Sequence, residues 1–146
     1  MLREELWRDA GALGGFPLYL LVFLFAIIYD TSLAIQLFIG GLLSLILTTL
    51  IRIVYFKDRP VKETYNNFIR KIHASTFPSL HTMRASLMAT ILTAWMPNVI
   101  LGIVLFLSAA GVGYSRVKFK RHFVKDVVAG YVIGIIVAGL TIYFTP

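Results

Sequence analysis

Residues 85–115 read ASLMATILTAWMPNVILGIVLFLSAAGVGYS, without one Lys, Arg, Asp or Glu. A bilayer core of roughly 30 Å takes about 20 apolar residues as a helix, so this stretch exceeds a single crossing. Met96-Pro97-Asn98 interrupts it near the middle. Proline and asparagine favour a tight turn there, which makes the stretch two helices joined by a short connection. Three further charge-free gaps, residues 10–29, 31–51 and 127–146, each fit one crossing. The spacing therefore predicts five spans, at about 13–30, 32–55, 80–96, 98–115 and 123–144. The expected fold class is all-α, an integral membrane helical bundle of about five transmembrane helices forming a single domain over 1–146.

Composition agrees. Of 146 residues, 58% are hydrophobic and 14% charged, and the mean hydropathy is +0.81. Such values exclude a disordered tail and an ordinary soluble domain. With no cysteine, a disulfide scaffold and thiol chemistry are excluded as well. The 14 Lys and Arg exceed the 7 Asp and Glu, leaving +7. In so apolar a chain that excess means membrane-flanking anchors or a site for an anion.

The first span is read as a retained helix, not a signal peptide. The residues before it include Glu4, Glu5 and Asp9, whereas a signal n-region is net positive. Residues 1–8 read as a short interfacial helix with Trp7 at the headgroups. Glycines inside the spans, Gly130 and Gly134 among them, read as points of close helix packing.

Five spans sort the polar residues. Every Lys and Arg falls on one face, and the opposite face carries Asp30 alone among Lys, Arg, His, Asp and Glu. The positive-inside rule would make the basic face cytoplasmic. On that face Val61, Tyr65, Phe68, Ile69 and Ile72 follow the apolar stripe of a helix, which predicts an interfacial amphipathic helix over the loop after span two.

Three clusters on the same face carry chemistry. His122 and Asp126 are four apart at the start of span five, so a carboxylate can fix the imidazole tautomer and leave the other nitrogen nucleophilic. Arg116 ends the preceding span and can present a planar guanidinium to an anion. Pro78-Ser79-Leu80-His81 opens span three. Pro78 suits a first helical turn, Ser79 and the next amides suit phosphate oxygens, and His81 suits proton donation to a leaving oxygen. Arg52 and Arg59, seven apart, share a similar face if the helix of span two runs on. Each cluster has a plainer reading: a structural histidine, an N-cap, a pair of snorkelling anchors. Together they form a tetrahedral-anion cradle with a nucleophile, an orienter and an acid. No metal-ligand set and no glycine-rich phosphate loop competes, so no metal and no cofactor are expected.

These residues resemble the tripartite signature of the type 2 phosphatidic acid phosphatase superfamily: Lys-x6-Arg-Pro, Pro-Ser-Gly-His and Ser-Arg-x5-His-x3-Asp. The third motif matches at Ser115, Arg116, His122 and Asp126. The second matches at Pro78, Ser79 and His81, with Leu80 in place of Gly; the first matches at Arg59 and Pro60, with Arg52 in place of Lys. The resemblance implies a metal-independent phosphatase acting through a phosphohistidine. His122 would be the nucleophile, Asp126 its orienter and His81 the acid. Arg52, Arg59, Ser79, the Leu80 amide and Arg116 would hold the phosphoryl oxygens. A site at the membrane surface implies a lipid phosphate or diphosphate as substrate, such as a polyprenyl diphosphate, phosphatidylglycerophosphate, phosphatidic acid or a phosphorylated glycolipid. Lys57, Lys118, Lys120, Arg121 and Lys125 would ring the mouth. The expected partners are that substrate and membrane lipids, with no nucleic acid, and the expected location is the cell membrane. Two alternatives stand beside this reading: a lipid phosphotransferase with the same site, and a non-enzymatic protein that binds anionic lipid.

Overall fold

The computed structural model describes residues 2–145, without the side chains of residues 2–4, 6 and 8. Seven helices follow in order: α1 (Leu2–Ala12), α2 (Phe16–Tyr29), α3 (Thr31–Val54), α4 (Phe68–Ala74), α5 (Leu80–Trp95), α6 (Val99–Lys118) and α7 (Val124–Phe144). The five expected spans are α2, α3, α5, α6 and α7. By length and composition α3, α6 and α7 can each cross a membrane alone. At 14 and 16 residues, α2 and α5 are shorter, about 21 and 24 Å.

α5 is the central helix. Thr82, Met83, Ser86, Leu87 and Ile91 on it are all wholly buried, so its hydroxyls meet protein instead of lipid. One apolar cluster joins α2, α3, α5 and α7 through Ala26, Leu33, Leu37, Leu87, Ile91 and Ala138. Because lipid tails are as apolar as leucine, close packing rather than escape from water holds such helices together. The tightest approach is that of α7 to α5. A methyl group at Gly130 would lie 2.5 Å from the Ser79 carbonyl oxygen, and one at Gly134 would collide with Ser86 Oγ and the Met83 carbonyl. Packing is thus what these two glycines serve.

The turns at the far end meet each other. Asp30 caps α3 by accepting from the Leu33 N–H at 2.9 Å, and Trp95 Nε1 donates to its other oxygen at 2.8 Å. The Leu33 amide, and after it the indole, hold the Asp30 carboxyl below the usual carboxylate range. Asn98 caps α6 in the same manner.

Three expectations change. The amphipathic helix over 61–72 is only α4, because Asn67 accepts from the Arg70 N–H at 2.8 Å and starts the helix there. Val61 and Tyr65 precede it in non-helical chain and are exposed with Phe68 and Ile69, as an interfacial segment requires. Pro78 lies outside α5, since Ser79 takes the extended backbone of the cap. The helix of span two stops at Val54, and Arg59, next to Pro60, is held out of helical conformation. Trp7 packs on Tyr114 of α6, ring centres 4.5 Å apart, with Lys118 over it. Glu4 lies outside the described side chains.

Candidate active site

Three connections converge at the basic end: residues 55–67 after α3, residues 75–79 before α5, and residues 119–123 between α6 and α7. They are tied by main-chain bonds. The Thr76 N–H donates to the Lys57 carbonyl at 2.9 Å, and the Ser79 N–H to the Asp126 carbonyl at 3.0 Å. The Arg116 carbonyl ends α6 by accepting from the N–H groups of Arg121 and His122 at 2.9 and 3.2 Å. The nucleophile candidate is thereby fixed to the helix that bears the third arginine of the motif.

His122 stands before α7, not on it. The helix begins at Val124, because the N–H of Phe123 donates to Asp126 Oδ2 at 2.9 Å and closes the first turn. The i, i+4 relation to Asp126 on a helix face is therefore absent. In its place stands Thr76. The Thr76 carbonyl accepts from His122 Nδ1 at 2.7 Å. Thr76 Oγ1 lies 3.0 Å from the same nitrogen and donates to Asp126 Oδ2 at 2.8 Å. A carbonyl only accepts, so Nδ1 carries the proton and Nε2 keeps its lone pair. Asp126, wholly buried, completes its shell with Lys57 Nζ at 2.5 Å from Oδ1. Lys57 sits over the Phe123 ring, 4.7 Å from its centre. His122 is buried, which pulls its pKa down to about 4 against the opposing pull of the Thr76 carbonyl.

A cavity of about 420 Å³ opens beside His122. Arg52, Arg59, Arg84, Arg116, Arg121, His73, His81 and His122 line it, with Leu45 and Leu80. No carboxylate lines it among the described residues. Arg52 donates to the Pro78 carbonyl at 2.9 Å. Arg59 pairs with Glu63 and donates to the His73 carbonyl at 2.7 Å. Glu63 also meets Arg121 at 3.1 Å. The Nε atoms of Arg52, Arg59 and Arg116 are buried without a partner. Buried donors are normally satisfied, so the arrangement fits an oxyanion with several acceptors. Leu80 and His81 lie in the first turn of α5, whose N–H groups lack intrahelical partners. Ser79 is set further back: it is wholly buried and shares its hydroxyl with Thr82 at 3.0 Å. Among the described residues no three His, Cys, Asp or Glu stand together as a metal site.

Of the residues singled out by sequence, Arg52, Arg59, Leu80, His81, Arg116 and His122 meet at one cavity. Asp126 stands behind it. Thr76 escaped the sequence reading, since no spacing signals that a loop residue will bridge His122 and Asp126. Arg84 escaped it too, although it stands three residues after His81 on the same helix.

Residues 33–146 match the PAP2 superfamily. The chain is 32% identical over 108 residues to undecaprenyl-diphosphatase BcrC of Bacillus subtilis (strain 168), which covers 73% of this chain and 55% of that protein. It thus spans about half the length of that curated relative. Among solved structures it resembles Aquifex aeolicus LpxE, with a TM-score of 0.83 at 26% identity over 98% of this chain and 87% of the other. It also resembles the transmembrane PAP2-type phosphatidylglycerolphosphate phosphatase of Bacillus subtilis, with a TM-score of 0.75 at 22% identity over 98% and 76%. That second likeness speaks to the fold alone.

Proposed function

Since the chain belongs to the PAP2 superfamily, we propose that this multi-pass membrane protein is a metal-independent lipid phosphatase working through a phosphohistidine on His122. The supporting observation is the bond from His122 Nδ1 to the Thr76 carbonyl, which leaves Nε2 with a lone pair beside a cavity rich in guanidinium groups. Nε2 attacks phosphorus while the bond from phosphorus to the lipid oxygen breaks, and His81 gives its proton to that oxygen. Water then attacks the phosphohistidine, its proton passes to His81, and inorganic phosphate leaves. Arg52, Arg59, Arg116 and the Leu80 amide hold the phosphoryl oxygens as charge builds on them. Ser79 contributes by shaping the start of α5, and Asp126 by holding Thr76 and Lys57 in place. The curated relative is named for an undecaprenyl diphosphate, so a lipid with a terminal phosphate is the substrate class we assign.

The test is phosphate release from lipid phosphates in detergent with chelator present. Wild type should release phosphate, and His122→Ala should fall to about a thousandth of that rate or lower while eluting as a folded protein. Undiminished release by His122→Ala would refute the mechanism. We place the site on the cytoplasmic side, from the excess of Lys and Arg there. A cysteine at Glu63 labelled by an impermeant reagent only in inverted vesicles is the expected result.

A further inference from the structure

Arg84 belongs to no motif and has no carboxylate partner among the described residues. Its side chain is half-buried on α5, and its guanidinium lies 5.7 Å from the Phe16 ring centre. A cation at that depth is unfavourable unless it faces the protein interior or a polar partner. Its position is distinctive. Arg84 and Leu45 line the cavity of His122, and the same two residues line an apolar groove of about 280 Å³ between α2 and α3. Phe16, Leu20, Phe23, Phe38 and Leu42 form the walls of that groove. Phe23 and Phe38 continue into a second groove, which reaches Ile27 and Thr31 toward the far end. Head site and tail path therefore meet at Arg84. It sits one turn deeper than His81, about 4.5 Å along the axis.

A lipid whose scissile phosphate lies among Arg52, Arg59 and Arg116, with its tail between α2 and α3, must place at Arg84 whatever group joins the two. An uncharged linker would leave the guanidinium without a counter-charge; a second phosphate would supply one. We infer that Arg84 binds a second phosphate of the substrate, on the tail side of the one that is cleaved. This inference rests on the proposed phosphatase activity and narrows it to lipids with two phosphates in series. A diphosphate and a phosphodiester separated from the terminal phosphate by glycerol share that chemistry.

The experiment compares wild type with Arg84→Gln and Arg84→Lys on two matched pairs in micelles: a polyprenyl diphosphate against its monophosphate, and phosphatidylglycerophosphate against phosphatidic acid. Arg84→Gln should lower kcat/KM for the two-phosphate member at least about tenfold more than for its one-phosphate partner. Arg84→Lys, which keeps the charge, should recover part of that selectivity. A selective loss in the prenyl pair alone assigns the second phosphate to a diphosphate; one in the glycerolipid pair alone assigns it to a phosphodiester. Equal losses in both members of both pairs, or no loss anywhere, overturn the inference while leaving the phosphatase intact. Absence of phosphate release by wild type from all four lipids would instead defeat the proposed function itself.

Discussion

Asp126 and Asp30 do the same local work at opposite ends of the bundle. Each accepts a main-chain N–H that starts a helix, at 2.9 Å in both cases. Each also accepts a side-chain donor, Thr76 Oγ1 for one and Trp95 Nε1 for the other. What differs is the rest of the surroundings. Asp126 is wholly buried, has Lys57 as counter-ion, and reaches His122 through Thr76. Asp30 has the indole in place of a cation and no histidine near it. On the proposed mechanism, what separates the two carboxylates is the groups placed behind them, since each also helps to start a helix.

That contrast can be broken from its strong side. Asp126→Asn keeps the shape but loses the ion pair with Lys57, and phosphate release should fall about 10- to 100-fold, measured as kcat at saturating lipid. A larger collapse would mean that Asp126 acts on His122 more directly than through Thr76. Thr76→Val removes the bridging hydroxyl and should lower the rate about tenfold, whereas Thr76→Ser should stay near wild type. Equal activity of all three proteins would remove the bridge from the mechanism.

The pH response sharpens the same comparison. Burial disfavours the imidazolium of His122 and brings its pKa down to about 4. As pH falls through 6.5, where an ordinary histidine gains its proton, Nε2 should therefore remain unprotonated and able to attack. Nitrogen NMR of the detergent-solubilised protein should show His122 titrating below pH 5; titration near 6.5 would contradict the buried geometry.

The seam between α5 and α7 connects the two ends. Gly130→Ala puts a methyl group against the Ser79 carbonyl, which as main chain cannot swing aside. The expected penalty is about 1–3 kcal/mol, seen as a lower thermal midpoint, while Gly111→Ala, inside α6 and facing open space, should hold or raise the midpoint. The smallest effect belongs to the far end. Trp95→Phe loses the bond to Asp30, which solvent can replace, and should lower the thermal midpoint only slightly with no change in phosphate release.

The spans were legible because charge is excluded from the hydrocarbon core, so gaps between charged residues mark helices directly. That Arg52, Arg59, Leu80, His81, Arg116 and His122 would stand at one end of the bundle was legible because they belong to motifs with fixed internal spacing. Periodicity misled over 61–67, where the apolar stripe is real but Asn67 caps the helix after it has passed. Thr76 was illegible for another reason: its role depends on residues 75–79 folding onto both Lys57 and Asp126, contacts distant in sequence. Arg84 sat in plain view at the border of the charge-free stretch 85–115, where it read as the end of a gap.

The contact that sets the tautomer of His122 comes from a peptide group. No point substitution at residue 76 other than one that moves the backbone can delete a carbonyl oxygen. On the proposed mechanism, random change that wore away the hydroxyl bridge, the lysine or the aspartate would still leave an imidazole with its proton on Nδ1. Such a site would lose function in steps instead of all at once.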